Sequence, residues 1–510
     1  MAKLKLKAYT FNGSEIYPNV EVFISLGKDK NNYPTNVYHT LKEKIKQELK
    51  IEPKFYIISK DIDKLRQNNI KLDYNDFIEK VYNLLVEELQ DYKEEISNPL
   101  LKRALHLKEE KKDFLDILNE IDNNSLSKYE LEEYNLLKFF VSKNKDEEFE
   151  MYKTFFSQNL LKLKELYFIY IKDLEDRREF YKSSKLIKEF QNIFPIDELN
   201  DEEKAIYYYL IGRNYYQRGE FLLALENLSL AKEYVKDNKK LLADIYNSAT
   251  NSFTDNLFFD EALEIANKAL KIRESLHLPQ KYETISLIGG IYFKDSKYKL
   301  AYNHYKKALE GIEDSRIYNY LAKSAIMLKY KNSIEYIKKS EQYEDKQGFL
   351  VFIKILYAFY NNIDEVIEIY NKEFIEKNRY FEDVVKAWSN TFVACTYFQK
   401  ENYETGIKYL YKALKNFIND KYILEAYYVS LYIFVYDIPE KYINDFEYLK
   451  ESLELDKLID EYIIKHKNIA KEYAEKFDIK LSNKNNLLSF YEKSKNKIDL
   501  KNLIKQFSLF

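Results

Sequence analysis

The sequence predicts a mainly α-helical protein, built as a solenoid of helix pairs and preceded by a small α/β domain. Its 510 residues are too many for one compact core, so several domains or an extended repeat are expected. Only 9 glycines and 7 prolines occur, whereas sheets and phosphate-binding loops need such residues at their turns. A pattern of small and aromatic residues also recurs at nearly constant spacing from about residue 205 onward.

Four copies of the repeat can be aligned between residues 205 and 415. In the first copy, the small residues Gly212 and Ala224 would let two antiparallel helices approach closely. The small residue of the second helix advances from Ala224 to Ala262 and then to Ala301, which are steps of 38 and 39 residues. This pattern resembles the tetratricopeptide repeat (TPR), whose minimal length is about 34 residues.

The TPR resemblance implies a right-handed superhelix of helix pairs, in which the first helix of each pair lines a concave groove. Apolar residues at helical spacing extend the predicted solenoid over residues 96–480, in roughly ten or eleven pairs of about 38 residues. The basic segment 481–510 contains periodic apolar residues and predicts a C-terminal capping helix or tail. Docking of a partner is the alternative role for that segment.

Residues 1–95 break the helical rhythm and predict a separate α/β domain. Charged and apolar residues alternate on both sides of the Asn12-Gly13 dipeptide, which favours a tight hairpin turn. The predicted order is strand, strand, helix, strand, helix (ββαβα), at residues 3–10, 20–26, 37–50, 54–59 and 74–92.

A partner-binding groove is predicted on the first helices of the best repeats. Asn247 and Asn251 are four residues apart on one helix face, and a carboxamide can both donate to and accept from a peptide backbone. This is similar to the asparagines of TPR-type quorum-sensing peptide receptors, although those receptors usually begin with helices rather than strands. Asparagine is abundant here, so the pair could also be ordinary surface. The predicted groove residues are Tyr209, Arg213, Tyr216, Asn247, Asn251, Thr254, Ser286 and Phe293.

The loop before the first predicted helix is the one place where a small anion could bind. Free N–H groups at a helix N-terminus favour anions, and the loop adds lysines and amides. No glycine-rich fingerprint accompanies it, so an ordinary surface loop is the alternative interpretation. The candidate residues are Lys28, Lys30, Asn31, Asn32, Thr35 and Asn36.

Catalysis is the poorer expectation. The five histidines are scattered, and neither HExxH nor CxxC occurs, so the sequence predicts no metal site and no cofactor. His39 is the one histidine near the anion-binding loop, and it carries the hypothesis of an enzyme with its active site in the N-terminal domain. Cys395 is expected to be a packing residue on a first helix.

The expected partner is a protein or peptide. Basic and acidic residues nearly cancel, 81 against 84, so neither nucleic acid nor an anionic membrane is favoured as the principal ligand. No apolar run of membrane-spanning length and no signal segment is visible, and a single cysteine fits a reducing compartment. We therefore expect a cytoplasmic bacterial or archaeal adaptor or regulator. A sensor that reads a nucleotide or other anion through its N-terminal domain is the alternative, and the oligomeric state stays open.

Overall fold

The computed structural model describes most of the chain from residue 96 onward, and two short strands before it. The described residues are 21–25, 54–58, 96–109, 112–177, 179–343, 349–376, 383–482 and 484–506. The chain divides into two compact units, Met1–Leu174 and Glu175–Phe510.

The first unit contains two paired strands, β1 (Glu21–Ser25) and β2 (Lys54–Ile58). They run parallel, in a register that aligns Glu21 with Lys54 and Ser25 with Ile58. Both fall on segments for which the sequence predicts strands. The predicted first strand, the hairpin turn and both helices of the ββαβα order lie outside the described residues, so the α/β domain as a whole stays a prediction.

Five described helices follow the strands, and the boundary between the two units falls within the last of these helices. A small core that includes Leu101, Leu118 and Leu137 packs the first three together. The Lys162 ammonium is buried and pairs with Glu133. The helices are α1 (Pro99–Glu109), α2 (Leu115–Asn119), α3 (Lys128–Val141), α4 (Lys145–Phe155) and α5 (Leu160–Asp176).

The second unit begins with a regular series of helices. They are α6 (Phe180–Ile193), α7 (Asp201–Gln217), α8 (Phe221–Tyr234), α9 (Lys239–Asp255), α10 (Phe259–Ser275), α11 (Lys281–Lys294), α12 (Tyr298–Ala308), α13 (Ser315–Met327), α14 (Ser333–Ser340), α15 (Phe349–Asn361), α16 (Asp364–Tyr370), α17 (Asp383–Gln399) and α18 (Tyr403–Asn419). From α7 to α18 they pack as consecutive pairs, so this region is a TPR-like α-solenoid.

Small residues sit where the paired helices cross, as the sequence predicts. A Cβ on Gly212 of α7 would lie 2.7 Å from Leu228 Cγ of α8, and one on Gly289 of α11 would lie 2.8 Å from a ring carbon of Tyr305. Real Cβ atoms do not approach so closely, so each pair depends on the missing side chain.

The turn between paired helices has one recurring geometry. In four of the pairs, the amide N–H of the residue just before the second helix bonds back five residues, as from Glu220 to the Tyr215 carbonyl at 2.9 Å and from Phe258 to the Phe253 carbonyl at 3.0 Å. This six-to-one bond requires a left-handed residue just before it, and that residue is Gly219 in the first turn, with φ +72°. Leu257 adopts the same conformation in the next turn.

The remaining helices belong to the C-terminal part of the second unit. The last one packs against the 3-10 turn at Leu431–Phe434, and the Tyr428 hydroxyl donates to the Ile504 carbonyl at 2.9 Å. They are α19 (Ile423–Ser430), α20 (Glu440–Glu451), α21 (Leu455–His466), α22 (Ile469–Ala474), α23 (Asn486–Lys495) and α24 (Leu500–Gln506).

Contacts between distant parts of the sequence close the second unit on itself. The Tyr462 hydroxyl donates to Asn256 Oδ1 at 2.8 Å, across a separation of 206 residues. Lys421 Nζ lies 2.9 Å from Glu220 Oε1, which joins the turn after α18 to the turn after α7. Late helices of the second unit therefore contact its early repeats.

Candidate functional site

The eight predicted groove residues all lie on first helices of their pairs. The set is divided among α7 (Tyr209, Arg213, Tyr216), α9 (Asn247, Asn251, Thr254) and α11 (Ser286, Phe293). Five of the eight retain solvent exposure, and three are buried. The structure therefore separates a reachable part of the predicted groove from a part covered by the rest of the unit.

The reachable part begins with an aromatic and a cation on α7. Arg213 Nη2 lies 2.7 Å from Asp176 Oδ1, and the guanidinium sits 5.9 Å from the ring centroid of Tyr209. Tyr209 is only half-buried, yet burial among protein atoms raises the pKa of its hydroxyl to about 12. Tyr209 and Arg213 therefore present an aromatic ring and a cation that solvent still reaches.

The two asparagines of α9 are not equivalent. Asn247 Oδ1 lies 3.3 Å from Thr284 Oγ1, so this amide already has a partner on α11. Asn251 makes no side-chain hydrogen bond with any described residue, and it is half-exposed. Of the predicted pair, Asn251 is the carboxamide that is available to a ligand.

Thr254, Ser286 and Phe293 are only 6%, 7% and 1% exposed, which corrects the expectation that they form open groove surface. The Thr254 hydroxyl donates to the Thr250 carbonyl at 2.7 Å, so its polar group is used within its own helix. Lys323 Nζ lies 4.1 Å from the ring centroid of Phe293. All three side chains are therefore packed within the second unit.

Beside them lie four charged residues, three of them buried, which we call the interior cluster: Asp255, Lys294, Lys323 and Glu425. The Lys294 ammonium pairs with the Asp255 carboxylate, and Tyr216 donates its hydroxyl to Asp255 Oδ2 at 2.7 Å. Lys294 is 22% exposed, so solvent reaches it.

Glu425 of α19 is the unusual member of the interior cluster. It is 3% exposed, and its Oε2 atom has no hydrogen-bond partner among the described residues. Burial raises the pKa of Glu425 to about 7; Lys294 opposes that rise and Asp255 adds to it. Burial and the nearby Lys294 ammonium likewise lower the pKa of Lys323 to about 7.

The sequence did not predict the interior cluster, although on two helices it pointed to the residue next to a cluster member. Asp255 and Lys294 each follow a residue that the sequence assigned to the groove, Thr254 and Phe293. One residue turns a helix by about 100°, so a one-position error exchanges a packed side chain for an inward-facing one. The available signal was a charged residue at the C-terminal end of each of these two first helices, Asp255 and Lys294.

The other candidate residues are placed as follows. Cys395 of α17 is buried, and burial raises the pKa of its thiol to about 12, consistent with a packing role. His466 is buried and stacks on Tyr462 at 3.9 Å between centroids. His39 and the six anion-loop residues lie outside the described residues.

The described part of the chain offers neither a metal-ligand cluster nor a helix suited to crossing a membrane. No group of three or more His, Cys, Asp or Glu side chains there could hold a metal ion. Within the same residues, no helix combines the length and the apolar character that crossing a membrane requires.

Comparison with known proteins supports the repeat assignment. No protein-family model matches the sequence. A TPR repeat-containing protein of Methanocaldococcus jannaschii is 24% identical over 252 residues, covering 46% of this chain. The match spans 41% of that protein's length, well under half. The sequence match and the helix pairs agree that the repeat region is similar to TPR repeats.

Three solved structures are similar at low scores. The Rap conjugation gene regulator of a plasmid, in complex with a Phr peptide, has a TM-score of 0.44 and 16% identity, covering 64% of this chain and 96% of that one. A Rap protein complexed with competence and sporulation factor has a TM-score of 0.41 and 15% identity, covering 73% and 97%. Aspartyl phosphate phosphatase F from Bacillus subtilis has a TM-score of 0.40 and 18% identity, covering 76% and 96%. Scores this low carry no argument about function.

Proposed function

We propose that this chain is an adaptor or regulator that binds a protein or peptide along the inner face of its helical repeats. The observation that carries the proposal is the reachable lining of that face. Tyr209, Arg213 and Asn251 lie on successive first helices and combine an aromatic ring, a cation and an unpaired carboxamide. Solenoids of stacked helix pairs offer extended concave surfaces of this kind to macromolecules.

The chemistry of this lining suits an extended peptide better than a small metabolite. Asn251 can donate to a backbone carbonyl and accept from a backbone N–H, so it can hold a main chain irrespective of sequence. Tyr209 offers a rigid aromatic surface, and Arg213 offers a charge that Asp176 already neutralises in part. The cytoplasm is the compartment that we propose, because the chain has one cysteine and cannot form an internal disulfide.

The proposal is tested with peptides selected from a random display library on the wild-type protein. Binding of a selected peptide should weaken about 5- to 100-fold in Asn251→Ala, because a buried backbone group then loses its partner. Asn267→Ala is the matched control, since Asn267 is exposed on the second helix α10 and should leave affinity unchanged. Equal affinity of all three proteins, or a failure to select any peptide, would count against the groove.

A second candidate function rests on the strand pair of the first unit. β1 ends at Ser25, immediately before the segment with Lys28 and Lys30, and it runs parallel to β2. Ligands of open α/β sheets bind outside the carboxyl ends of parallel strands. We infer that a nucleotide or similar anion would bind there if this chain is a sensor. Thermal stabilisation by a mono-, di- or cyclic nucleotide, lost in a Lys28→Ala/Lys30→Ala variant, is the expected result; no stabilisation by any of them rejects it.

A further inference from the structure

A buried arginine on α10 connects the helix before it, α9, with the helix after it, α11. Arg273 is only 3% exposed, and its guanidinium pairs with the Asp244 carboxylate of α9. Its Nη1 atom donates to the Gln280 carbonyl at 2.8 Å and to Thr284 Oγ1 at 2.9 Å. Gln280 directly precedes α11, and Thr284 lies on it. Because contacts on both neighbouring helices fix the guanidinium, Arg273 holds the Thr284 hydroxyl in a defined place.

The Thr284 hydroxyl passes this constraint on to Asn247. A guanidinium has donors and no acceptor, so Thr284 Oγ1 accepts from Arg273. A hydroxyl carries one hydrogen, and Asn247 Oδ1 accepts it at 3.3 Å, a long hydrogen bond. If the carboxamide were turned the other way, Nδ2 would face an oxygen that already accepts. The hydrogen of Thr284, which is 0% exposed, would then lose this acceptor, so the turned orientation is disfavoured.

The amide nitrogen of Asn247 is left as the outward group. The side chain is half-buried, and its Nδ2 atom makes no hydrogen bond with any described residue. The two polar atoms of a planar carboxamide point apart, so Nδ2 is directed away from Thr284. Asp244 lies three residues earlier on the same helix face, and Arg273 pairs with its negative charge. A ligand atom with partial negative charge is therefore suited to this position.

We propose that Arg273 and Thr284 are positioning residues that fix Asn247 as a hydrogen-bond donor, so that a bound peptide presents a main-chain carbonyl oxygen to Asn247. This inference rests on the proposed function for the presence of a peptide, and it adds which atom of the peptide is recognised. Asn251, by contrast, can either donate or accept. Because N–H and C=O groups alternate along a peptide backbone, a donor of fixed direction also sets the register of the bound chain.

The orientation of Asn247 is tested first in full-length protein without ligand. Native-state hydrogen exchange of the slowest amides in α9 and α11 is compared with and without Asn247→Ala, in three backgrounds. Thr284→Val removes the hydroxyl, and Thr284→Ser is the matched control that keeps it. The acceleration caused by Asn247→Ala should be about 2- to 10-fold smaller in Thr284→Val than in wild type, and undiminished in Thr284→Ser. An equal effect in all three backgrounds would overturn the proposal, because Thr284 and Asn247 would then not interact.

Peptide binding then shows which group the ligand presents. The probes are peptides selected from a display library without charged residues and synthesised with acetylated and amidated ends, so that they carry no charge. Asn247→Asp keeps the acceptor for Thr284 but replaces the outward donor with a carboxylate oxygen. By titration calorimetry it should bind at least about threefold more weakly than Asn247→Ala, because an acceptor then faces the peptide carbonyl. Equal or tighter binding by Asn247→Asp would reject the assigned carbonyl.

The positioning role predicts a loss of affinity from residues that do not reach the peptide. Thr284→Val should weaken binding of the same neutral peptides about 2- to 10-fold, and Thr284→Ser should largely restore it. Arg273→Met should weaken binding as well, and its combination with Thr284→Val should weaken it no further. Because Arg273→Met also leaves Asp244 unpaired, Thr284→Val is the decisive variant. Wild-type affinity in Thr284→Val would show that Asn247 needs no positioning.

The outcomes separate this inference from the proposed function. If Asn251→Ala weakens peptide binding but Asn247→Asp binds more tightly than Asn247→Ala, the groove stands and the donor role of Asn247 is rejected. If no peptide is selected, the proposed function and the assigned carbonyl fail together. The exchange measurements still decide the orientation of Asn247 in that case, because they need no ligand.

Discussion

The two neighbouring glycines of α11 provide a direct test of how the helix pairs are built. A Cβ added to Gly289 would lie 2.8 Å and 2.9 Å from two ring carbons of Tyr305. A Cβ added to Gly290 would meet only the Tyr305 hydroxyl oxygen, at an ordinary 3.7 Å. Tyr305 is 2% exposed, so its ring has little space into which it could move. The substitutions Gly289→Ala and Gly290→Ala therefore differ only in the contact that each creates.

The expected magnitudes follow from that difference. Replacing a helical glycine by alanine gains about 1 kcal/mol in either position, because the unfolded chain loses freedom. Forcing an extra methyl group into a close-packed site costs about 1 to 3 kcal/mol. Gly290→Ala should therefore stabilise the repeat by about 1 kcal/mol. Gly289→Ala should be less stable than Gly290→Ala by about 1 to 3 kcal/mol, since the helix term cancels between the two variants.

Native-state hydrogen exchange is the suitable assay, because repeat arrays need not unfold in one step. The slowest amides of α11 and α12 report the free energy of opening this pair, and exchange in α3 of the first unit serves as an internal reference. Equal shifts for the two variants would refute the reasoning, because the Gly289 crossing would then not depend on the absence of a side chain.

Three further perturbations have defined outcomes. Glu425→Gln should raise the free energy of unfolding by about 3 kcal/mol at pH 8. The pKa of Glu425 is raised to about 7, so its contribution to wild-type stability is fully present below about pH 4 and is lost as pH rises through 7. Denaturation profiles of wild type and Glu425→Gln that coincide at all pH values would contradict this expectation. Tyr462→Phe leaves Asn256 Oδ1 without its buried donor and should cost about 1 to 3 kcal/mol in denaturant unfolding, while an unchanged midpoint would show that water replaces the hydroxyl. Asn200→Ala removes the capping box that Asn200 forms with Glu203 at the start of α7, and its thermal transition should fall by an amount equivalent to about 1 kcal/mol, which Asn200→Ser should largely restore.

The helix pairs could be predicted because their determinants are local. Gly212 and Ala224 are twelve positions apart in the sequence, and the residues between them form one turn and parts of two helices. Each copy of the sequence pattern therefore forms the same helix–turn–helix unit. The left-handed turn residues could be predicted only in part. Glycine favours this conformation at Gly219, whereas nothing in the residue type indicates it at Leu257.

The lining of the inner face could be predicted only in part. The sequence places Asn247 and Asn251 on one helix face, but it does not show that Thr284 of the next pair occupies Asn247. The interior cluster was not predicted, because Glu425 lies more than 100 residues after Lys294 and 170 after Asp255. Nor does any local pattern mark Lys268 as the residue whose ammonium donates to the Phe477 carbonyl, 209 residues away in the sequence.

The sequence by itself determined the repeating unit: its helices, its small crossing residues and its approximate length. Only the tertiary structure decided that the solenoid closes on itself, which first-helix residues remain reachable and which charges meet inside. The physical reason is that closure depends on the small rotation added by each helix pair, summed over many pairs. No single repeat encodes that sum, so contacts such as Tyr462 with Asn256 emerge only when the whole second unit is assembled.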